Sequence, residues 1–118
     1  RVKNLKSGPW DNDGRRQIYE KAELTDEKHF KLKDECDKVG IKFLTSVFNK
    51  DDVEFLSTFL DEIKIPSTEM DNIKLINNVI KYFGLKEKHH VFLSTGTSMF
   101  EDVKKVVKLL KDNNISFS

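Results

Sequence analysis

The stretch IKIPSTEMDNIKLINNVIKYFG, residues 63–84, changes its hydrophobic period part-way along. Ile63 and Ile65 bracket Lys64, an every-second-residue alternation that reads as a strand. From residue 73 onward Ile73, Ile76, Val79, Ile80 and Phe83 recur at helical spacing, and Gly84 stops the run. A short apolar strand followed directly by an amphipathic helix is one βα unit.

The same unit recurs on both sides. Downstream, VFLSTG (91–96) reads as a strand, SMFEDVKKVVKLLKDNN (98–114) as a helix and ISFS (115–118) as the start of another strand, with LKEKHH (85–90) as the preceding turn. Upstream, NKDDVEFLSTFLDE (49–62) offers Asn49 as a cap and puts Val53, Leu56, Phe59 and Leu60 on one helical face. Before it, IKFLTSVF (41–48) reads as a strand, and DEKHFKLKDECDKVG (26–40), capped by Thr25 and stopped by Gly40, as a helix. Residues 1–23 lack periodicity, and SGPWDNDG (7–14) crowds turn formers around Trp10, so this part is expected to be an irregular lead-in loop with at most one short helix. The order αβαβαβαβ, with strands short and apolar enough for burial on both faces, predicts an α/β fold: a parallel sheet wrapped by helices over 24–118, all within one domain spanning 1–118.

The 21 Lys and Arg residues nearly balance the 20 Asp and Glu, giving a net charge of +1, so no global field points to nucleic acid or an anionic membrane. No apolar run approaches the roughly 18 residues a bilayer span requires. A single cysteine, Cys36, excludes an intrachain disulfide, and a reducing, cytoplasmic setting is expected. The chain starts at Arg1 without an initiator methionine, which suggests a piece of something longer. The motifs GxGxxG, GxxxxGK[ST] and GxSxG do not occur, which removes the main supports for nucleotide-binding and serine-hydrolase readings.

Ligands of parallel α/β folds collect at the carboxyl ends of strands. Three such ends here carry hydroxyls: Thr45 and Ser46, Ser67 and Thr68, and Ser94 and Thr95 ahead of Gly96. Each pair could simply cap the next helix; together, with Gly96 easing approach to backbone amides, they suggest a pocket for a phosphate or other oxyanion. Alternation puts Lys64 opposite Ile63 and Ile65. In a closed barrel that face is the interior, where an ammonium meets a bound anion; on an exposed edge strand it is water. Glu69 could act as a general acid or base or favour a helix N-terminus, and the spacing does not separate the two. His29, His89 and His90 form no metal-ligand pattern and are expected at the surface.

ECDKVGIKFLTSVFNKDDVEFL (35–56), IKIPSTEMDN (63–72) and VFLSTGTSMFEDVKKVV (91–107) resemble, in order and spacing, the middle of the sialic acid synthase (N-acetylneuraminate synthase) family. GPWDNDGRRQIYEKAELTDEKH (8–29) is similar to the segment leading into that region in bacterial members. The most specific part is KIPSxExxN, with Lys64, Ser67, Glu69 and Asn72, together with LSTG at 93–96. The resemblance implies a (β/α)8 TIM barrel, of which this chain would hold about strands 3 to 6. It implies a transferase that condenses phosphoenolpyruvate with an N-acetylated amino sugar, N-acetylmannosamine or a relative, and releases phosphate. Carried over by position, Lys64, Ser67, Ser46, Ser94 and Gly96 would hold phosphoenolpyruvate, and Glu69 would be the catalytic residue. A divalent metal, manganese or magnesium, is implied with histidine ligands beyond residue 118 and none in this chain, as is a homodimer. The family's usual FLSTPF is FLTSVF here, so Ser46 stands for threonine and Val47 for proline; Thr68 stands where glycine is frequent, and Thr97 where methionine follows LSTG.

A complete barrel takes about 250 residues, so the 118-residue chain is expected to be inactive alone. Two other readings remain at this point: a stand-alone α/β module that binds a small phosphorylated or carboxylated molecule, and a structural fragment without activity.

Overall fold

The computed structural model describes residues 7–84 and 87–118; residues 1–6 of the lead-in and 85–86 of the turn after Gly84 lie outside the described residues. The chain divides into two compact units, Arg1–Ile41 and Lys42–Ser118.

The first unit holds a 3-10 turn (Pro9–Asp11) and two helices, α1 (Arg15–Ala22) and α2 (Asp26–Lys38). Asp11 organises its start: the carboxylate accepts from the Gly8 N–H at 2.8 Å and the Ser7 hydroxyl at 2.5 Å, and pairs with Arg16. The Ser7 hydroxyl, the Gly8 amide and then the Arg16 guanidinium hold its pKa down at about 2. Thr25 caps α2 by accepting the Lys28 N–H. Gly40, at φ +74°, closes the other end: the Ile41 N–H reaches the Cys36 carbonyl at 2.9 Å and the Gly40 N–H the Asp37 carbonyl at 3.1 Å. Neither α1 nor α2 buries a residue.

The second unit carries α3 (Lys50–Ser57), β1 (Glu62–Ile65), α4 (Ile73–Phe83), β2 (His90–Leu93), α5 (Phe100–Asp112) and β3 (Ser116–Phe117). The strands pair in parallel in the order β1-β2-β3. Register sets Ile63 against Val91 and Val91 against Phe117, and, one residue on, Lys64 against Phe92. Strand alternation therefore separates two faces. Ile63, Ile65 and Val91, each 0% exposed, join Val53 and Leu56 of α3, Leu75, Ile76, Val79 and Phe83 of α4, and Val106 and Leu110 of α5 in one core. At about 25 cal/mol per Å² of apolar surface, this burial is the main term holding the unit together. Lys64 and Phe92 lie on the other face.

Two details differ from the expectations, and the stop at Gly84 has a further cause. Residues 41–48 do not form a strand of the sheet; they contribute one parallel bridge, Ser46 to Lys64, in which the Lys64 N–H reaches the Thr45 carbonyl at 3.0 Å and the Val47 N–H the Lys64 carbonyl at 2.9 Å. The apolar run is there, but its pairing with β1 does not extend beyond these two bonds. Gly84 ends α4 as its C-cap, as expected, with φ −81°. Glycine is required there by crowding, since a Cβ would sit 2.5 Å from the Ile80 carbonyl oxygen and 2.8 Å from Ile115 Cδ1. His89 is not a surface residue; it is 2% exposed and its Nδ1 lies 3.1 Å from the Phe83 carbonyl.

Candidate functional site

Lys64 is half-buried at the carboxyl-terminal half of β1, on the face away from the helices. Among the described residues no carboxylate pairs with its ammonium. Its backbone is fixed by the Thr45 and Val47 bonds, and the bridge places Ser46 beside it. The Val47 bond gives meaning to a departure from the family pattern. Proline has no N–H to give, so valine adds a rung to the sheet at this position.

Ser67 opens a 3-10 turn (Ser67–Glu69) that leaves β1 after Pro66. The Thr97 hydroxyl donates to Ser67 Oγ at 2.8 Å and the Ser98 hydroxyl to the Ser67 carbonyl at 3.0 Å, so the loop after β2 grips the loop after β1. Ser94 is tied to the same edge, its N–H donating to the Ile65 carbonyl at 3.0 Å. The structure thus sets Ser46 beside Lys64 through a backbone bridge, and Ser67 and Ser94 just past the carboxyl ends of the paired strands β1 and β2. Gly96 is exposed, and a Cβ there would meet nothing within 4 Å. The chain's own packing does not require glycine at this position.

Glu69 and Asn72 form a small capping device. Asn72 Nδ2 donates to Glu69 Oε2 at 2.8 Å, while Asn72 Oδ1 accepts the Leu75 N–H at 3.2 Å at the start of α4. The ExxN spacing of the motif is therefore a helix start in physical terms, with one oxygen of Glu69 engaged.

His90, expected in the turn before the strand, is itself a strand residue. It lies on β2 in register with Glu62 and Ser116, on the face of Lys64. Its Nδ1 is 2.7 Å from Ser116 Oγ and its Nε2 2.9 Å from Ser118 Oγ, and its ring packs edge-on against Phe92 at 4.8 Å. Glu62 in turn pairs with Lys42. Counting back by twos from Phe92 would have put His90 and Lys64 on one face and His89 in the core. Among the described residues no three His, Cys, Asp or Glu side chains converge to hold a cation.

The profile of the NeuB family matches residues 2–116. The chain belongs to the NeuB family. Among curated relatives, the pseudaminic acid synthase of Campylobacter jejuni subsp. jejuni serotype O:2 is 32% identical over 110 residues, 92% of this chain and 30% of the relative. The N,N'-diacetyllegionaminic acid synthase of Legionella pneumophila is 25% identical over 96 residues, 80% of this chain and 26% of the relative. The chain spans under a third of the length of these NeuB-type synthases. The crystal structure of N-acetylneuraminic acid (sialic acid) synthetase from Leptospira borgpetersenii, in complex with citrate, superimposes with a TM-score of 0.79 at 23% identity, over 91% of this chain and 36% of that one. This NeuB chain is part of a TIM barrel, an α/β arrangement in which parallel strands alternate with helices.

Proposed function

We propose that the intact protein condenses phosphoenolpyruvate with an N-acetylated amino sugar, N-acetylmannosamine or a relative, and that this chain supplies the phosphoenolpyruvate side of the site. The observation that carries the reading is Lys64, a half-buried lysine at a strand end, with no carboxylate partner among the described residues and Ser46 beside it. A cation without a fixed counterion favours an incoming anion, and donors placed in advance need no reorganisation as charge develops. Lys64, Ser46, Ser67 and Ser94 would bind the carboxylate or phosphate, and Gly96 leaves open space beside them. Glu69 would address the sugar or the reacting centre through Oε1, because Oε2 already holds Asn72. A carbon–carbon bond from phosphoenolpyruvate C3 to the sugar's aldehyde carbon, protonation of the aldehyde oxygen, addition of one water at C2 and departure of phosphate would complete the reaction. A divalent cation would take its ligands from residues outside this chain, and the working form would be a cytoplasmic homodimer.

Titrating phosphoenolpyruvate into the isotopically labelled chain tests the reading. Amide signals of Lys64, Ser67 and Ser94 are expected to move together and saturate, and Lys64→Ala to weaken binding by about tenfold or more, as for a charged hydrogen bond. Signals that stay still at all three positions would overturn it. The capping geometry of Glu69 favours a second, purely structural role for that residue. Glu69→Gln in the intact protein separates the roles: a catalytic carboxylate predicts a large loss of phosphate release, a structural one nearly unchanged release.

A further inference from the structure

We infer that Thr97 is a positioning residue for the anion site, because it fixes which way the Ser67 hydroxyl presents its hydrogen; the inference rests on the phosphoenolpyruvate reading above. Ser67 and Thr97 lie thirty residues apart, on the loops that follow β1 and β2, and their hydroxyl oxygens are 2.8 Å apart with Thr97 donating. A serine hydroxyl has one hydrogen and two lone pairs. When Ser67 Oγ accepts from Thr97, its own hydrogen remains for a further acceptor, and the accepted bond polarises that O–H. An anion beside Lys64 is the acceptor such a donor suits.

The neighbouring contact isolates this effect. Ser98 donates to the Ser67 carbonyl at 3.0 Å, so the backbone of Ser67 is held by a different side chain from the one that sets its hydroxyl. The Ser98 hydroxyl keeps the two loops together when the Thr97 hydroxyl is removed. Thr97 is itself exposed, and its removal leaves no cavity. Thr97→Val keeps the branched shape and deletes only the donor, whereas Thr97→Ser keeps the donor and deletes a methyl.

The test is phosphoenolpyruvate affinity of the labelled chain, measured for the wild type, Thr97→Val, Thr97→Ser, Ser67→Ala, Lys64→Ala and the double variant Ser67→Ala/Thr97→Val, with urea midpoints alongside. Thr97→Val is expected to weaken binding by about three- to tenfold, the worth of one hydrogen bond. Thr97→Ser should stay within about twofold of wild type, and the urea midpoints should not move. In the Ser67→Ala background, Thr97→Val should add nothing, since a positioning residue acts only through the group it positions. Wild-type affinity in Thr97→Val, alongside weakened binding in Lys64→Ala and Ser67→Ala, overturns the inference and leaves the phosphoenolpyruvate reading standing. A Thr97→Val loss that persists without the Ser67 hydroxyl also overturns it. Absence of phosphoenolpyruvate binding by the wild-type chain overturns both.

Discussion

Helix α2 of the first unit buries no side chain, whereas α4 of the second buries Leu75, Ile76, Val79 and Phe83. Yet α2 is the more completely finished by local chemistry. It has a threonine cap, a left-handed glycine stop, and ion pairs from Lys33 to Asp37 and from Lys38 to Asp34 and Glu35. Those acids, Asp34 first, hold the Lys38 ammonium above its usual pKa. Phe30, Leu32, Val39 and Ile41 remain exposed in the same unit, while every buried apolar side chain among the described residues lies at or beyond Val47. Local signals decide where a helix starts and stops; they do not give it depth. Thirteen residues of helix without a buried face are marginal on propensity alone.

Core truncation should break or confirm this contrast with the largest effect. Leu75→Ala is expected to cost about 3 kcal/mol, and Phe30→Ala less than about 0.5 kcal/mol, read as native-state hydrogen exchange of α4 and α2 amides. Comparable losses in the two helices would erase the distinction. The glycines sharpen it at the next level down. Gly84→Ala forces a methyl against the Ile80 carbonyl and Ile115 and should cost about 1–3 kcal/mol by overpacking. Gly40→Ala meets nothing within 4 Å and should cost only about 1 kcal/mol for its left-handed backbone, measured by thermal unfolding. Acid should give the smallest effect, confined to the first unit. Because the Asp11 pKa is depressed to about 2 from 3.8, its contribution is complete above pH 3.8 and fades as pH falls toward 2. The Gly8 amide shift should titrate with a midpoint near pH 2 while the α4 amides stay unchanged.

The same contrast explains what the sequence made legible. Helices α4 and α5 and the strand faces at 63–65 and 91–93 were readable because burial imposes a period on residue type, and the structure keeps both periods. Residues 41–48 have the composition of a strand, but pairing is a property of two segments, and here it reaches only to Lys64. Glycine at 84 was readable as a stop, not as a crowding site, because Ile115 arrives from thirty-one positions away. The face of Lys64 followed from alternation, and the positions of Ser67 and Ser94 just past β1 and β2 from the strand ends. The grip of Thr97 on Ser67 could not be read, since two loops meet there that share no periodicity. His90 was hidden by its twin: adjacent histidines suggest a polar turn until the strand phase sends one inward and the other across.

Lys64 gives its N–H to Thr45 and takes that of Val47. Its α-carbon is thereby a stationary pivot, and four methylenes swing the charge about it. If an anion binds there as proposed, its capture would immobilise a single flexible arm, at an entropic cost of about 2 kcal/mol.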